Sequence, residues 1–285
     1  MKILVTILLL ILATFSRCTQ PSQSVESEEK TQFVYYSEFV RDSFHIQVQL
    51  PLEYLSHPDK RYPTVYLLDG NFYFPMMAST LHQYELGGLL DPMILVGIGY
   101  SSFKMMDSLR IRDYLYPKPL TSDEIKSEGG GQRFQEFLTK ELLTKIDASF
   151  RTQKNNRSLL GHSFGGYFTL YSLLDQLENK SNSFQTFIAA SPTLWYNNFY
   201  LNKLPAALKN RSPNDSLQIF VSAGALEDSV WNVKPVQELA SVLQKKKIDK
   251  MVCQSHIYNH LDHMDVGILS FTKGLQAFTT RTKTP

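Results

Sequence analysis

The passage from strand to helix across residues 158–177 constrains this chain more than any other segment. An apolar run, Ser158-Leu159-Leu160, leads into Gly161-His162-Ser163-Phe164-Gly165-Gly166, and a helix-forming stretch from Tyr167 to Leu174 leads out. A chain that reverses so abruptly needs strained backbone angles at the turn, and small residues on both flanks let it pass without clashes. The bare G-x-S-x-G pattern recurs by chance, so the strand before it and the helix after it carry the argument. In that context Ser163 reads as a nucleophile raised on a sharp turn. The backbone N–H of Phe164, at the positive end of the following helix, can point at a developing oxyanion.

The remaining chain supplies matching elements. Runs rich in β-branched and aromatic residues recur at Phe33–Tyr36, Phe44–Leu50, Thr64–Leu68, Met93–Ile98, Ser158–Leu160, Thr186–Ala189, Leu217–Val221 and Met251–Tyr258. Helix-like stretches run from Gln132 to Phe150, Phe164 to Leu177, Val233 to Lys246 and Val266 to Phe278. Strands in succession, then strands alternating with helices, predict an α/β fold: a mostly parallel central sheet with antiparallel early strands and helices on both faces. With 285 residues, 43% of them hydrophobic, the chain can bury one large core or two modest ones. The segment Tyr116 to Gly131 reads as a connector, because Pro117, Pro119 and Gly129-Gly130-Gly131 interrupt any regular period. The glycine triplet is expected to be a flexible loop, with a mobile active-site edge as its functional version.

A serine hydroxyl is a weak nucleophile without a base. His260 and His263 both follow the final strand-like run and precede the final helix. His263, directly before Met264-Asp265-Val266, is preferred as the base, and His260 stays the alternative. The acid that orients the base is expected after the preceding strand, in Ser222-Ala223-Gly224-Ala225-Leu226-Glu227-Asp228. Chain order and position favour Glu227, with Asp228 as the alternative. The histidines lack the carboxylate or cysteine spacing of a metal site, so no metal and no cofactor is expected.

The beginning of the chain reads as an address. Lys2 precedes an apolar run from Ile3 to Phe15, of signal-peptide length and short of the roughly 20 residues needed to span a bilayer. Residues 1–17 are read as a signal peptide, 18–31 as a polar tether and 32–285 as one catalytic domain. Cys18 is a candidate for acylation, although Arg17 stands where lipoprotein signals favour a small residue. Export follows, to a periplasm or to a membrane-anchored state if the source is bacterial, with the membrane contacted only through Cys18. Lys2 and Arg17 belong to the total of 29 basic residues; without them 27 basic residues face 27 acidic ones. Such balance argues against a nucleic-acid partner. Cys253, in a strand-like run, is expected to be a buried, inert thiol.

Taken in order, several blocks resemble the "Putative esterase" family of α/β-hydrolases, whose members include S-formylglutathione hydrolase, feruloyl esterases, mycolyltransferases and siderophore esterases. The blocks are Tyr62-Pro63-Thr64-Val65-Tyr66-Leu67-Leu68-Asp69-Gly70, Arg110-Ile111-Arg112-Asp113-Tyr114 and Gly129-Gly130-Gly131 with Phe134-Gln135-Glu136-Phe137-Leu138. They continue with Gly161 to Gly166, Ala189 to Tyr196, Gly224 with Glu227, and His263. The resemblance is nearest to the bacterial branch that includes the siderophore esterases. It implies Ser163 as nucleophile, His263 as base, Glu227 as acid, and the N–H groups of Phe164 and Asn71 as oxyanion hole. Arg112, Trp195 and Tyr114 are expected near the pocket. The expected partner is a small-molecule ester of siderophore or acylated-sugar type. Two other readings use the same sequence: an acyltransferase with the same triad, and an exported binding protein without catalysis.

Overall fold

The computed structural model describes residues 30–278, so the residues read as a signal peptide, most of those read as a tether, and Cys18 lie outside the described residues. Eight strands form one sheet: β1 (Lys30–Ser37), β2 (Asp42–Gln49), β3 (Tyr62–Leu67), β4 (Ile94–Gly99), β5 (Thr152–His162), β6 (Thr186–Ala190), β7 (Leu217–Gly224) and β8 (Met251–Tyr258). Their spatial order is β1-β2-β4-β3-β5-β6-β7-β8. The β1–β2 and β2–β4 pairs are antiparallel, and every later pair is parallel. This is the mixed, mostly parallel sheet that the order of elements predicts.

Helices cover both faces, which explains why the inner strands read as unbroken apolar runs instead of alternating ones. Tyr66, Leu159, Phe187 and Ile219 face a large core with α2 (Phe103–Tyr114), α3 (Gly131–Glu136), α4 (Leu143–Ser149), α5 (Phe164–Glu178) and α6 (Lys234–Lys245). Their sequence neighbours Val65, Leu67, Leu160, Ile188 and Phe220 face a smaller core under α1 (Gly70–Leu86) and α7 (Val266–Phe278).

Four differences from the sequence reading have physical reasons. Helix α1 escapes notice because it is buried at Gly70, Tyr73, Phe74, Met77, Ala78, Leu81 and His82, a broad face that leaves no sharp amphipathic stripe. Helix α2 escapes because only Met106, Asp113 and Tyr114 are buried. The stretch expected as one helix, Gln132 to Phe150, is α3 and α4 joined by a π-helical turn over Phe137–Leu142. The glycine triplet is a packed joint and not a loose loop. Gly130 N–H donates to Arg112 O and Gly131 N–H to Leu115 O, both at 2.9 Å.

Candidate active site

Strands β3 and β5 are neighbours, although β4 and the helices α1 to α4 separate them in sequence. Chain order reverses here, and in open α/β sheets such a reversal opens a crevice at the carboxyl ends of the strands. Two turns meet there. After β5, Ser163 adopts φ 60° and ψ −119°, a strained setting for any residue but glycine. Gly161 is required for the close approach behind it, since a Cβ there would lie 2.1 Å from Gly165 O. The strain is held in place by Ser163 N–H donating to Ala190 O at 3.0 Å and Tyr167 N–H donating to Ser163 O at 2.9 Å. The Ser163 hydroxyl does not cap the helix it begins.

After β3, Asp69 takes a left-handed conformation (φ 54°, ψ 44°) and starts α1. The Asn71 side chain clamps Tyr100: Nδ2 donates to Tyr100 O at 2.8 Å, and Oδ1 accepts Tyr100 N–H at 2.6 Å. The N–H groups of Asn71 and Phe164 both lie in the first turn of a helix, where no intrahelical acceptor exists.

One arginine ties the two turns together. Arg110 Nε and Nη2 meet Asp69 Oδ1 and Oδ2 at 2.9 and 2.8 Å, and Nη2 also donates to His162 O at 3.1 Å. The sequence reading placed Arg112 near the pocket, two residues away and one helical face removed. Arg112 instead pairs with Asp42 and Asp113 at 2.7 Å each and lines a separate open cleft around Leu120 and Glu124. Tyr114, also expected at the pocket, is fully buried among Phe134 and Phe168, and its hydroxyl accepts the Asp69 N–H at 3.2 Å.

The loops after β7 and β8 are laced together. Ala225 N–H donates to Tyr258 O and Leu226 N–H to Leu261 O. Gly224 runs so close to Leu261 that a Cβ would lie 2.2 Å from its carbonyl oxygen. This lacing sets Glu227 Oε2 2.7 Å from His263 Nδ1. Glu227 also accepts from Ser191 Oγ at 2.5 Å, Gly224 N–H at 2.6 Å and Asn232 Nδ2 at 2.8 Å. Burial alone would raise its pKa. The hydrogen bonds from His263, Ser191, Gly224 and Asn232 outweigh burial and hold the carboxyl at about 2. A carboxylate only accepts, so His263 donates from Nδ1 and turns Nε2 away from Glu227. No hydrogen bond among the described residues joins that ring to Ser163 Oγ, and such contacts commonly close only around substrate.

Neither alternative takes part in this contact. Asp228 caps the next turn, accepting Val230 and Trp231 N–H at 2.8 Å each. His260 is exposed in a left-handed conformation (φ 63°). His162 is a member of the site that the motif alone did not reveal. Its Nε2 lies 2.7 Å from His263 O, and its ring is 4.6 Å from that of His263. Burial first, then the His263 ring, pushes its pKa down to about 3, so it is neutral and its Nε2–H donates to the carbonyl.

Trp195 follows Thr193, whose N–H donates to Ser163 O at 3.3 Å. With Leu120, Ser122, Asp123, Asn198, Phe199 and Trp231 it lines an open cleft of about 710 Å³. No cluster of three or more His, Cys, Asp or Glu side chains suited to a metal occurs among the described residues. Cys253 is mostly buried, and burial pushes its thiol up to about 12. No described helix is long and apolar enough to cross a membrane.

The model of the "Putative esterase" family matches residues 37–278. The chain belongs to that family. It is a carboxylic ester hydrolase. The chain is 29% identical over 242 residues to the ferri-bacillibactin esterase BesA of Bacillus subtilis, covering 79% of this chain and 81% of that one. It is 29% identical over 227 residues to the siderophore enterobactin esterase of Emericella nidulans, covering 73% and 70%. Among solved structures, the BES protein from Bacillus cereus superposes with a TM-score of 0.79 at 26% identity, over 91% of this chain and 97% of that one.

Within this esterase, sequence reasoning missed Arg110, Asp69, His162, Ser191 and Asn232. Arg110, Asp69 and Ser191 lie inside blocks that carry the family resemblance, which is the only sequence signal they give. Their partners lie 41, 41 and 36 positions away, so only the folded chain pairs them.

Proposed function

We propose that this esterase cleaves the ester bonds of siderophore-type polyesters, using Ser163 as nucleophile, His263 as base and Glu227 as acid. The observation that carries the reading is the 2.7 Å contact between His263 Nδ1 and a buried, ionised Glu227, on loops at the same sheet edge as the strained Ser163 turn. In this reading His263 Nε2 takes the Ser163 proton as Oγ attacks the carbonyl carbon. The N–H groups of Phe164 and Asn71 receive the oxyanion. Collapse expels the alcohol, which takes the proton back from His263, and leaves an acyl-enzyme. Water deprotonated by the same histidine then releases the acid and restores Ser163. The names of the relatives favour siderophore esters over acylated sugars. Export by residues 1–17, with or without acylation at Cys18, belongs to the same proposal and puts the enzyme where extracytoplasmic ligands arrive.

The test uses chain from residue 19 onward. Nitrophenyl acetate and a catecholate trilactone are assayed with wild type and Ser163→Ala, and a fluorophosphonate probe is applied to both. Turnover that falls by about 10³-fold or more with labelling abolished is the expected result. Equal turnover by the two proteins would end the serine mechanism.

A further inference from the structure

The cleft beside the triad has a construction that the hydrolytic chemistry does not require. Three successive non-glycine residues, Asn197, Asn198 and Phe199, hold left-handed backbone angles, with φ of 49°, 52° and 58°. Asparagine visits this region readily, but a run of three ending in phenylalanine does so only when its surroundings enforce it. Two contacts enforce it here. Asn197 N–H donates to Asp123 Oδ1 at 3.2 Å, and Asn197 Nδ2 donates to Lys118 O at 2.9 Å. Asp123 in turn accepts Leu120 N–H on its other oxygen at 2.8 Å. The strained turn and the connector therefore brace each other, and both line the cleft.

The turn sets the Phe199 ring near parallel to Trp231, with centroids 6.3 Å apart and planes 14° from coplanar directions. Trp231 is 52% exposed, so the indole has a face free for a ligand. The cleft adjoins the reaction centre on two sides. Trp195 lies two residues past the Thr193 N–H that holds Ser163 O, and Trp231 precedes Asn232, which holds Glu227. Its charge is one-sided. Asp123 lines it, and no Lys or Arg does. Of the cations near these residues in the chain, Lys118 meets Glu128 at 3.9 Å and Lys203 rests over the Tyr200 ring at 4.0 Å, and neither these nor Lys126 and Lys234 line the cleft.

We propose that the Phe199–Trp231–Trp195 cleft is a subsite for a flat, uncharged aromatic ring of the ester substrate, and that Asp123 makes it discriminate against anionic forms. This rests on the serine-esterase reading and refines its substrate. A metal-free catecholate ester, whose phenols are protonated near neutral pH, fits such a cleft. Its ferric complex, carrying net negative charge, meets a carboxylate and no compensating cation. The enzyme is then one that acts on the metal-free ester in preference to the iron-loaded one.

The experiment measures kcat/KM for nitrophenyl acetate, nitrophenyl benzoate and nitrophenyl para-sulfobenzoate, and for a catecholate trilactone with and without ferric ion. Wild type should prefer benzoate over sulfobenzoate, and metal-free over ferric trilactone, by about tenfold or more. Trp231→Ala should lower the benzoate-to-acetate ratio about tenfold, as loss of a stacking face does. Asp123→Asn keeps an acceptor for Asn197 and should narrow the benzoate-to-sulfobenzoate gap. Raising the salt should narrow it in wild type. Should the variants fold poorly, equilibrium binding of metal-free and ferric trilactone to Ser163→Ala protein gives the same comparison without them. The subsite is refuted if Trp231→Ala leaves the benzoate-to-acetate ratio unchanged, or if ferric trilactone is cleaved or bound as well as metal-free. Either result leaves the triad intact, whereas turnover indifferent to Ser163→Ala overturns the parent reading.

Discussion

Replacing Glu227 by glutamine removes one charge with almost no change of shape, and the structure allows its effect to be worked out. All four partners of the carboxylate are donors: Ser191 O–H, Gly224 N–H, Asn232 Nδ2 and His263 Nδ1. An amide offers one oxygen and one NH2, so whichever way it turns, two donors face a donor. If the NH2 points to His263, that ring must accept on Nδ1 and carry its proton on Nε2, which removes the base. If it points the other way, Gly224 N–H is left buried without an acceptor. Two lost charge-assisted bonds cost roughly 3 kcal/mol of stability. Linkage gives a similar figure: a carboxyl at about 2 against the ordinary 4.5 is worth about 3 kcal/mol. The sign follows from the lowered pKa, so that stabilisation is complete above about pH 4.5 and is lost as pH falls toward 2. For Glu227→Gln, kcat on nitrophenyl acetate should drop by about 10⁴ while KM changes little, as for a triad whose acid has been neutralised. Asp228→Asn keeps the oxygen that caps Val230 and Trp231 and should cost under about 0.5 kcal/mol. Stopped-flow or steady-state turnover, with urea unfolding of each variant, measures both quantities. If Glu227→Gln retains a tenth of wild-type kcat, or Asp228→Asn falls as far as Glu227→Gln, the assignment of the acid is wrong.

Two further outcomes follow from the ion pair and the histidine that brace the turns. Arg110→Gln strands the buried Asp69 carboxylate and should cost about 3–5 kcal/mol, together with a roughly 100-fold loss in kcat from displacement of the oxyanion donors. Arg157→Gln breaks a comparably buried pair with Asp147, at 2.5 Å midway along β5, and should cost stability while sparing kcat; equal kcat losses in the two would remove Arg110 from its positioning role. His162 has a folded pKa of about 3 against 6.5 when unfolded. Its contribution is therefore intact above about pH 6.5 and declines as pH falls toward 3, by about 2 kcal/mol at pH 5. Urea titrations at about pH 7.5 and 5 should show that loss in wild type and not in His162→Gln, and parallel pH dependences would contradict the buried neutral imidazole.

The inner strands were legible in the sequence because a sheet covered on both faces demands apolar residues at consecutive positions, as at Leu159-Leu160 and Phe187-Ile188-Ala189, whereas the more exposed edge strands β1 and β8 were legible through their β-branched and aromatic residues. The nucleophile turn was legible for the same kind of local reason: Gly161 is dictated by contacts within its own turn. Helix α1 was not, since its pattern is set by burial against β4 and α7, and α2 was not, since little of it is buried at all.

The candidate site divides along the same line. Local chemistry marked Ser163, Glu227 and His263, because each stands where a strand ends and a turn begins. Which of two neighbouring groups meets His263 was a tertiary matter. Glu227 and Asp228 are equivalent as a sequence pair, yet one is buried under four donors and the other caps a turn at the surface. Arg110 and Arg112 are equally plausible on paper, yet the pitch of α2 aims one at Asp69 and the other at Asp42. The sequence by itself determined the covalent order and the local turns, since those depend on neighbours within a few residues. Only the tertiary structure decided the partners, because hydrogen bonds spanning 36 to 101 positions form where the strand order of the sheet brings chain ends together.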